Sequence, residues 1–242
     1  MPVRPNPPRP AYMIALFLLA GSLAFCPSAF AEQPLPDAPR PEPTGTLDLG
    51  QRFKLEVHTS LSAASFLVPV GDALVNMADP PDKYPREWRD GGGAFGRNYG
   101  AEFARHTTAG FTRFAVAAID REDPRYYPST STNVARRTVH ALLFTVINRS
   151  DSGRRTLAVS NLSGSMASGA IGMAFYPDGF NDFTHAYQHG AVETTSFASH
   201  NLVAEFSPEI VRALRKCHVP ERITNTFLPA TAPVSRRAPT HP

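Results

Sequence analysis

Residues 156–177 read TLAVSNLSGSMASGAIGMAFYP, the longest run without a formal charge outside the N-terminus. Ser160, Gly164, Ser168 and Gly172 recur every four residues, so on a helix they form a narrow stripe of small side chains. A neighbouring helix can approach such a stripe closely, because little separates the two backbones. Bulky apolar residues fall on roughly the opposite face: Val159, Leu162, Met166 and Met173. This pattern predicts a central helix that is buried on all sides within an all-α domain.

Helical spacing of apolar residues continues on both sides of this segment. We therefore expect a single helical domain over residues 46–218, a bundle of about five or six helices around the buried central helix. The other predicted helices lie in 47–79 with a kink at Pro69, in Ala94–Ile119, in Asn133–Ile147, in Phe180–Phe206 and from Ser207 to about Lys216. A strand stays possible at the β-branched end of Asn133–Ile147, and residues 148–155 predict a turn-type linker.

The predicted helix Ala94–Ile119 has the clearest amphipathic pattern. Its aromatic residues and Ala118 gather on one side, which predicts the face that packs on the core. Glu102, Arg105 and Arg113 gather on the other side, which predicts a solvated face. Phe180–Phe206 has a comparable division, with Phe183 opposite to its polar residues.

The first 31 residues have the order of parts of an export signal. Arg4 and Arg9 precede an uncharged apolar run, and Ala29-Phe30-Ala31 forms a small-x-small cleavage site. An uncleaved membrane anchor is the alternative. Five prolines predict an extended linker over residues 32–45, and the proline-rich residues 219–242 predict a disordered tail. These features predict an exported protein of the periplasm or cell envelope.

The charge balance argues against a nucleic-acid partner. The chain has 24 basic and 21 acidic residues, and removal of Arg4 and Arg9 with the signal would leave a net charge of about +1. Cys26 lies in the signal, so Cys217 would be the only thiol of the processed chain. No intramolecular disulfide is then expected.

A candidate metal site lies on the predicted helix Phe180–Phe206. His185 and His189 have the i, i+4 spacing of a zinc-binding helix, and Glu193 lies on the same face. The glutamate that follows the first histidine in metalloprotease helices is missing, because Ala186 stands there. The alternative is that these polar residues form the solvated face of an amphipathic helix.

A candidate ligand-binding loop lies at Asp120–Ser131. It brings together Arg121, Arg125, Tyr126 and Tyr127. An arginine can bind a carboxylate or phosphate with two parallel hydrogen bonds. The alternative is a structural loop in which the charges pair with one another and the tyrosines cover the helix ends.

Several segments together resemble an uncharacterised family of exported bacterial proteins. They are the export signal, FGRNYGAEFA, EDPRYYPS, the DSG turn, SNLSGS and AEFSPEIVRALRK. The resemblance covers about Trp88 to Lys216 and implies an exported, mostly helical protein. It implies no activity, cofactor or catalytic residue.

The sequence favours a non-enzymatic binding, scaffolding or structural domain of the cell envelope, with an envelope protein or the membrane surface as possible partner and without a cofactor. One alternative is a metal-assisted hydrolase that uses zinc on the His185, His189 and Glu193 face. A second alternative is a membrane-embedded helical protein, because residues 156–177 are long enough to span a bilayer.

Overall fold

The computed structural model describes residues 45–61, 63–217 and 220. Within them, seven α-helices and three short strands are formed: α1 (Leu49–Ser60), α2 (Ala63–Ala78), α3 (Arg86–Arg89), α4 (Gly91–Asp120), β1 (Glu122–Asp123), α5 (Val134–Leu143), β2 (Ile147–Ser150), β3 (Arg155–Leu157), α6 (Val159–Phe175) and α7 (Phe183–Lys216). The predicted export signal, and nearly all of the predicted linker and tail, lie outside the described residues.

Side-chain caps mark the start of three helices. The Asp48 carboxylate accepts a hydrogen bond from the Gln51 backbone N–H, and the Gln51 side chain accepts one from the Asp48 backbone N–H. This reciprocal pair is a capping box, which satisfies two backbone donors that have no partner within the helix. Asn133 and Asp182 cap α5 and α7 in the simpler way, by accepting from the backbone three residues further on.

Helix α6 packs between α4 and α7 through its small residues. A Cβ atom added to Gly164 would lie 2.8 Å from the Ala109 carbonyl oxygen of α4, and one added to Gly169 would lie 2.1 Å from the Ala186 carbonyl oxygen of α7. Such short distances mean that the backbones nearly touch. The predicted helical bundle around a helix rich in small residues is confirmed.

Burial of α6 on all sides is not observed. Its small residues are buried, but Met166 is 75% exposed, and Val159 and Met173 are also exposed. The reason is that, among the described helices, α4 and α7 are the ones that pack closely on α6, and both lie on its small-residue side. The bulky side chains therefore point outward.

The predicted faces of α4 and α7 are also wrong. On α4, Glu102 and Arg105 are buried, and on α7 Glu193 is buried whereas Phe183 is 81% exposed. The two buried carboxylates have hydrogen-bond donors elsewhere in the bundle, because Glu102 accepts from the Tyr176 hydroxyl and Glu193 accepts from the Ser168 hydroxyl. Glu193 therefore does not lie on a solvated face, which was the alternative interpretation of the polar residues on this helix.

The segment after α5 forms strands. The predicted helix Asn133–Ile147 ends at Leu143, and residues 147–150 pair in antiparallel fashion with residues 155–157, with Ile147 opposite Leu157. β2 also pairs with β1, giving the order β1-β2-β3. The predicted linker at 148–155 is thus a hairpin whose turn contains Gly153, at a positive φ of 78°.

Two prolines lie inside helices, Pro69 in α2 and Pro208 in α7. Pro208 lies inside the continuous helix α7, so no new helix begins at Ser207. Pro69 lies inside α2, and the break in the first helical segment comes earlier, between α1 and α2. The Ser207 hydroxyl donates a hydrogen bond to the Ala204 carbonyl instead of capping a helix start.

Candidate functional site

The centre of the bundle contains a cluster of polar side chains where α2, α4 and α7 meet near the end of α6. We call it the central polar cluster, and its members are Asp72, Asn76, Glu102, Arg105, His106, Tyr176, His189 and Glu193. Beside it, Tyr84, Trp88, Ala101 and Tyr176 form a buried aromatic core. The cluster connects side chains of α2, α4 and α7 with Tyr176 after α6.

Glu102 is the acceptor at one end of the cluster. It accepts hydrogen bonds from Arg105 at 2.6 Å, from the Tyr176 hydroxyl at 2.6 Å and from the Asn76 amide at 3.2 Å. Burial lowers the pKa of Arg105, but the interactions with Glu102 and Tyr176 raise it by more than burial lowers it, so the pKa of Arg105 lies above its usual value. Burial and the Glu102 charge also raise the pKa of Tyr176 well above 10.0. Arg105 is therefore a buried cation, and Tyr176 a neutral donor.

His106 joins α4 to α2 and α7. Its Nε2 lies 2.9 Å from Asp72 Oδ2, and its Nδ1 lies 3.2 Å from Glu193 Oε2. Burial lowers the pKa of His106, but hydrogen bonds to both carboxylates outweigh this, and the pKa rises to about 10. Glu193 also accepts a hydrogen bond from the Ser168 hydroxyl of α6 at 3.2 Å. Four helices are thereby connected through one imidazole ring and one carboxylate.

The three metal ligands predicted on α7 have different partners. His185 Nδ1 lies 2.8 Å from the Asp182 carboxylate at the start of the helix. The His189 ring stacks on Tyr176 with ring centroids 4.5 Å apart, and burial together with the Arg105 charge lowers the pKa of His189 to about 3. Glu193 contacts His106, as described above. None of these contacts joins two of the three residues to each other, and a zinc site formed by them stays a prediction.

A different set of residues has the spacing of metal ligands. One donor atom each from Asp72, Glu102 and His106 lie within 4.8 Å of one another. Sequence reasoning missed Asp72 and His106 because they lie on different helices. The signal it could have used is the pair Glu102 and His106, which are four residues apart on α4.

The predicted ligand-binding residues are held by contacts within the domain. Arg125 donates hydrogen bonds to both oxygens of Asp123, and the Tyr127 hydroxyl donates to the same carboxylate at 2.6 Å. The Tyr126 hydroxyl donates to Glu205, and Arg121 ends α4 in the left-handed conformation with φ 54°. The four side chains therefore do not converge on one place, and ligand binding by this loop stays a prediction.

Two further buried carboxylates connect the sheet and α5 to the bundle. Glu122 accepts hydrogen bonds from the Ser160 hydroxyl at 2.7 Å and from Asn148 at 3.3 Å. Glu205 accepts from Arg137 Nε at 2.7 Å. Because each buried carboxylate accepts hydrogen bonds from nearby donors, a structural role in the fold explains why both are buried.

The exposed face of α2 is apolar. Leu67, Gly71, Leu74 and Ala78 follow one another at the i, i+4, i+7 and i+11 positions, and all four are exposed. Bulky apolar residues nearby are exposed as well: Leu49, Phe53, Leu61, Phe66 and Val68. Among the described residues, no single helix has the length and apolar character needed to cross a membrane; only α1 and α2 taken together, bent by 41°, meet that test.

Comparison of the chain with protein-family models, with curated proteins and with solved structures finds no match.

Proposed function

We propose that this is an exported, non-enzymatic protein of the cell envelope whose helical domain binds the surface of a membrane through α2. The observation that carries the proposal is the uncharged exposed stripe formed by Leu67, Gly71, Leu74 and Ala78. The only charged residue of α2, Asp72, is directed toward His106 instead. A helix of a water-soluble domain usually carries charges on its outward face.

The free energy available on this face is substantial. Burying a leucine side chain that was in water contributes about 1.5–3 kcal/mol. Leu67 is 68% exposed and Leu74 is 55% exposed, and Phe66 and Val68 flank them. Apolar patches of this kind on a folded domain mark sites for proteins or membranes. A bilayer interface fits an uncharged helix stripe better than a polar protein surface does, because the stripe offers no side-chain hydrogen bonds.

The helix is held so that this stripe stays outward. Pro69 and Ala73 of α2 are buried on the inner side, and Phe66 stacks on Phe103 of α4 with ring centroids 5.2 Å apart. The Asp72 contact with His106 adds a polar anchor. The apolar residues are therefore presented by a helix with a fixed rotation, which lowers the entropic cost of binding.

Flotation with lipid vesicles tests the proposal. The exported, processed protein is mixed with vesicles of phosphatidylethanolamine and phosphatidylglycerol, and the fraction that floats is measured for the wild type and for Leu67→Glu. We expect the wild type to float and the variant to lose at least tenfold in vesicle affinity, because a carboxylate at the interface replaces an apolar contact.

Val139→Glu is the matched control. Val139 is 54% exposed on α5, outside the stripe of α2, and Arg136 one turn earlier on α5 is exposed as well. We expect this variant to float like the wild type. Equal flotation of Leu67→Glu and wild type, or no flotation of the wild type, would contradict membrane binding through α2.

A further inference from the structure

We propose that Asp72, Glu102 and His106 form a binding site for a divalent transition-metal ion between α2 and α4. One donor atom of each residue lies within 4.8 Å of the other two, and Nε2 of His106 lies 2.9 Å from Asp72 Oδ2. Metal–ligand bonds of about 2.0–2.2 Å place neighbouring donor atoms about 2.9–3.6 Å apart. Small side-chain rotations therefore suffice to close the three donors around an ion.

The donors are held by rigid elements and by neighbouring side chains. Glu102 and His106 are four residues apart on α4, so they project from the same face on successive turns. Tyr176 and Arg105 each donate a hydrogen bond to Glu102 at 2.6 Å. A site whose ligands are already oriented binds its ion with less loss of conformational freedom.

The second nitrogen of His106 has the partner typical of a metal-binding histidine. Its Nδ1 lies 3.2 Å from Glu193, a carboxylate that is 2% exposed and does not belong to the three donors. Histidines that bind metals usually donate their other N–H to a carboxylate or a carbonyl, which fixes the ring orientation. Glu193 thus orients Nε2 of His106 toward Asp72.

The local charge matches a dication. With His106 as a neutral ligand, the three carboxylates of Asp72, Glu102 and Glu193 and the guanidinium of Arg105 leave two negative charges. A divalent ion neutralises them in a region where unbalanced charge is costly. The bound ion would take the place of the proton between His106 and Asp72.

The site is reachable from solvent and has a defined chemistry. The Asp72 side chain is 45% exposed, so an ion can enter along α2. One imidazole and two carboxylates suit zinc, manganese or ferrous iron better than calcium or copper(I). This site differs from the set His185, His189 and Glu193, and it does not depend on membrane binding.

Zinc titration of the purified protein by calorimetry tests the proposal. We expect one zinc ion per chain, and an affinity at least tenfold weaker for Asp72→Asn, which removes a donor charge at a partly exposed position. Glu193→Gln should weaken binding roughly 10–100-fold, because the orientation of His106 is less well fixed. His185→Ala is the matched control and should bind like the wild type.

Thermal unfolding gives a second measurement. Zinc should raise the Tm of the wild type, a chelator should reverse the rise, and Asp72→Asn should show a smaller rise at the same zinc concentration. Circular dichroism establishes that the variants are folded. The proposal is overturned if the wild type binds no zinc, if Asp72→Asn binds as tightly as the wild type, or if only His185→Ala loses binding.

Discussion

Replacing Gly169 with alanine would place a methyl group where α6 crosses α7. The added Cβ would lie 2.1 Å from the Ala186 carbonyl oxygen, whereas ordinary contact begins at 3.4 Å, so the two helices must separate by about 1.3 Å. The obstacle is backbone, which cannot rotate away as a flexible side chain can. A separation of this size would also disturb the neighbouring crossing at Gly190, whose own Cβ would lie 2.9 Å from the Ser165 carbonyl oxygen.

The expected effect is a loss of stability. Overpacking of a closely packed interior costs about 1–3 kcal/mol and occasionally more. The better helix propensity of alanine offsets up to about 1 kcal/mol of that cost. We therefore expect Gly169→Ala to lower the free energy of unfolding by up to about 3 kcal/mol relative to the wild type. Relative to a glycine-to-alanine change that meets no obstacle, the loss should be about 1–3 kcal/mol, a difference in Tm of roughly 2–12 °C.

Urea unfolding followed by circular dichroism measures this change, with Gly96→Ala as the matched control. Gly96 is an exposed glycine inside α4, and no other part of the protein lies within 4 Å of its added Cβ. The control should gain up to about 1 kcal/mol in stability. If Gly169→Ala is as stable as Gly96→Ala, α6 and α7 do not approach each other closely, and the packing described above is refuted.

Three further predictions concern buried groups. Glu102→Ala should lower the free energy of unfolding by about 3–5 kcal/mol in urea, because the buried Arg105 loses its carboxylate; an unchanged urea midpoint would contradict this. Burial raises the pKa of Asp123, but the hydrogen bonds from Arg125 outweigh burial and hold this pKa below 3.8 in the folded protein. The ionised Asp123 therefore stabilises the fold above pH 3.8, and this contribution is lost as the pH falls through the lower pKa of the folded state. The Tm of the wild type should therefore fall more steeply below about pH 4 than that of Asp123→Asn, and parallel curves would argue against the ion pair. Trp88→Ala should cost about 3–5 kcal/mol, because the indole packs between two tyrosine rings, and a loss below 1 kcal/mol would place this ring outside the core.

The positions of the helices could be predicted from the sequence, but the direction in which their faces point could not. Periodicity and caps are local signals, and they placed α4, α6 and the start of α7 within a few residues. The usual rule that charges face water then assigned Glu102 and Glu193 to the outside. Their partners are Tyr176, which lies 74 residues from Glu102, and His106, which lies 87 residues from Glu193. Only the packed structure reveals these pairs.

The hairpin and the continuous helix α7 were missed for a similar reason. Pairing of Asp123 with Arg149 depends on bringing β1 beside β2, which no local pattern encodes. Pairing of Ile147 with Leu157 then closes the hairpin between β2 and β3. Pro208 follows a serine in a sequence typical of a helix start. In the folded chain, α7 continues through it because both sides of this proline pack on the same bundle, with Glu205 and Val211 buried.

The candidate site was predicted only in part. Spacing along one helix selected Glu193, which lies in the central polar cluster, and assigned His185 and His189 as its partners. The neighbours that the structure places beside Glu193 come from other helices, and Asp72 and His106 are among the members of the cluster. Spacing of i, i+4 identifies residues that share a face, and it carries no information about which helix that face meets.

The central claim, that α2 lies against a lipid surface, is tested most directly by a fluorescent probe. In a chain that begins after residue 31 and so lacks Cys26, with Cys217 replaced by serine, an environment-sensitive dye is attached to a cysteine introduced at Leu67, and in a second sample at Val139. On addition of vesicles, the emission of the dye at position 67 should shift to shorter wavelength and be quenched by lipid-attached quenchers, whereas the dye at position 139 should not change. Equal responses at both positions, or no response at position 67, would contradict the claim.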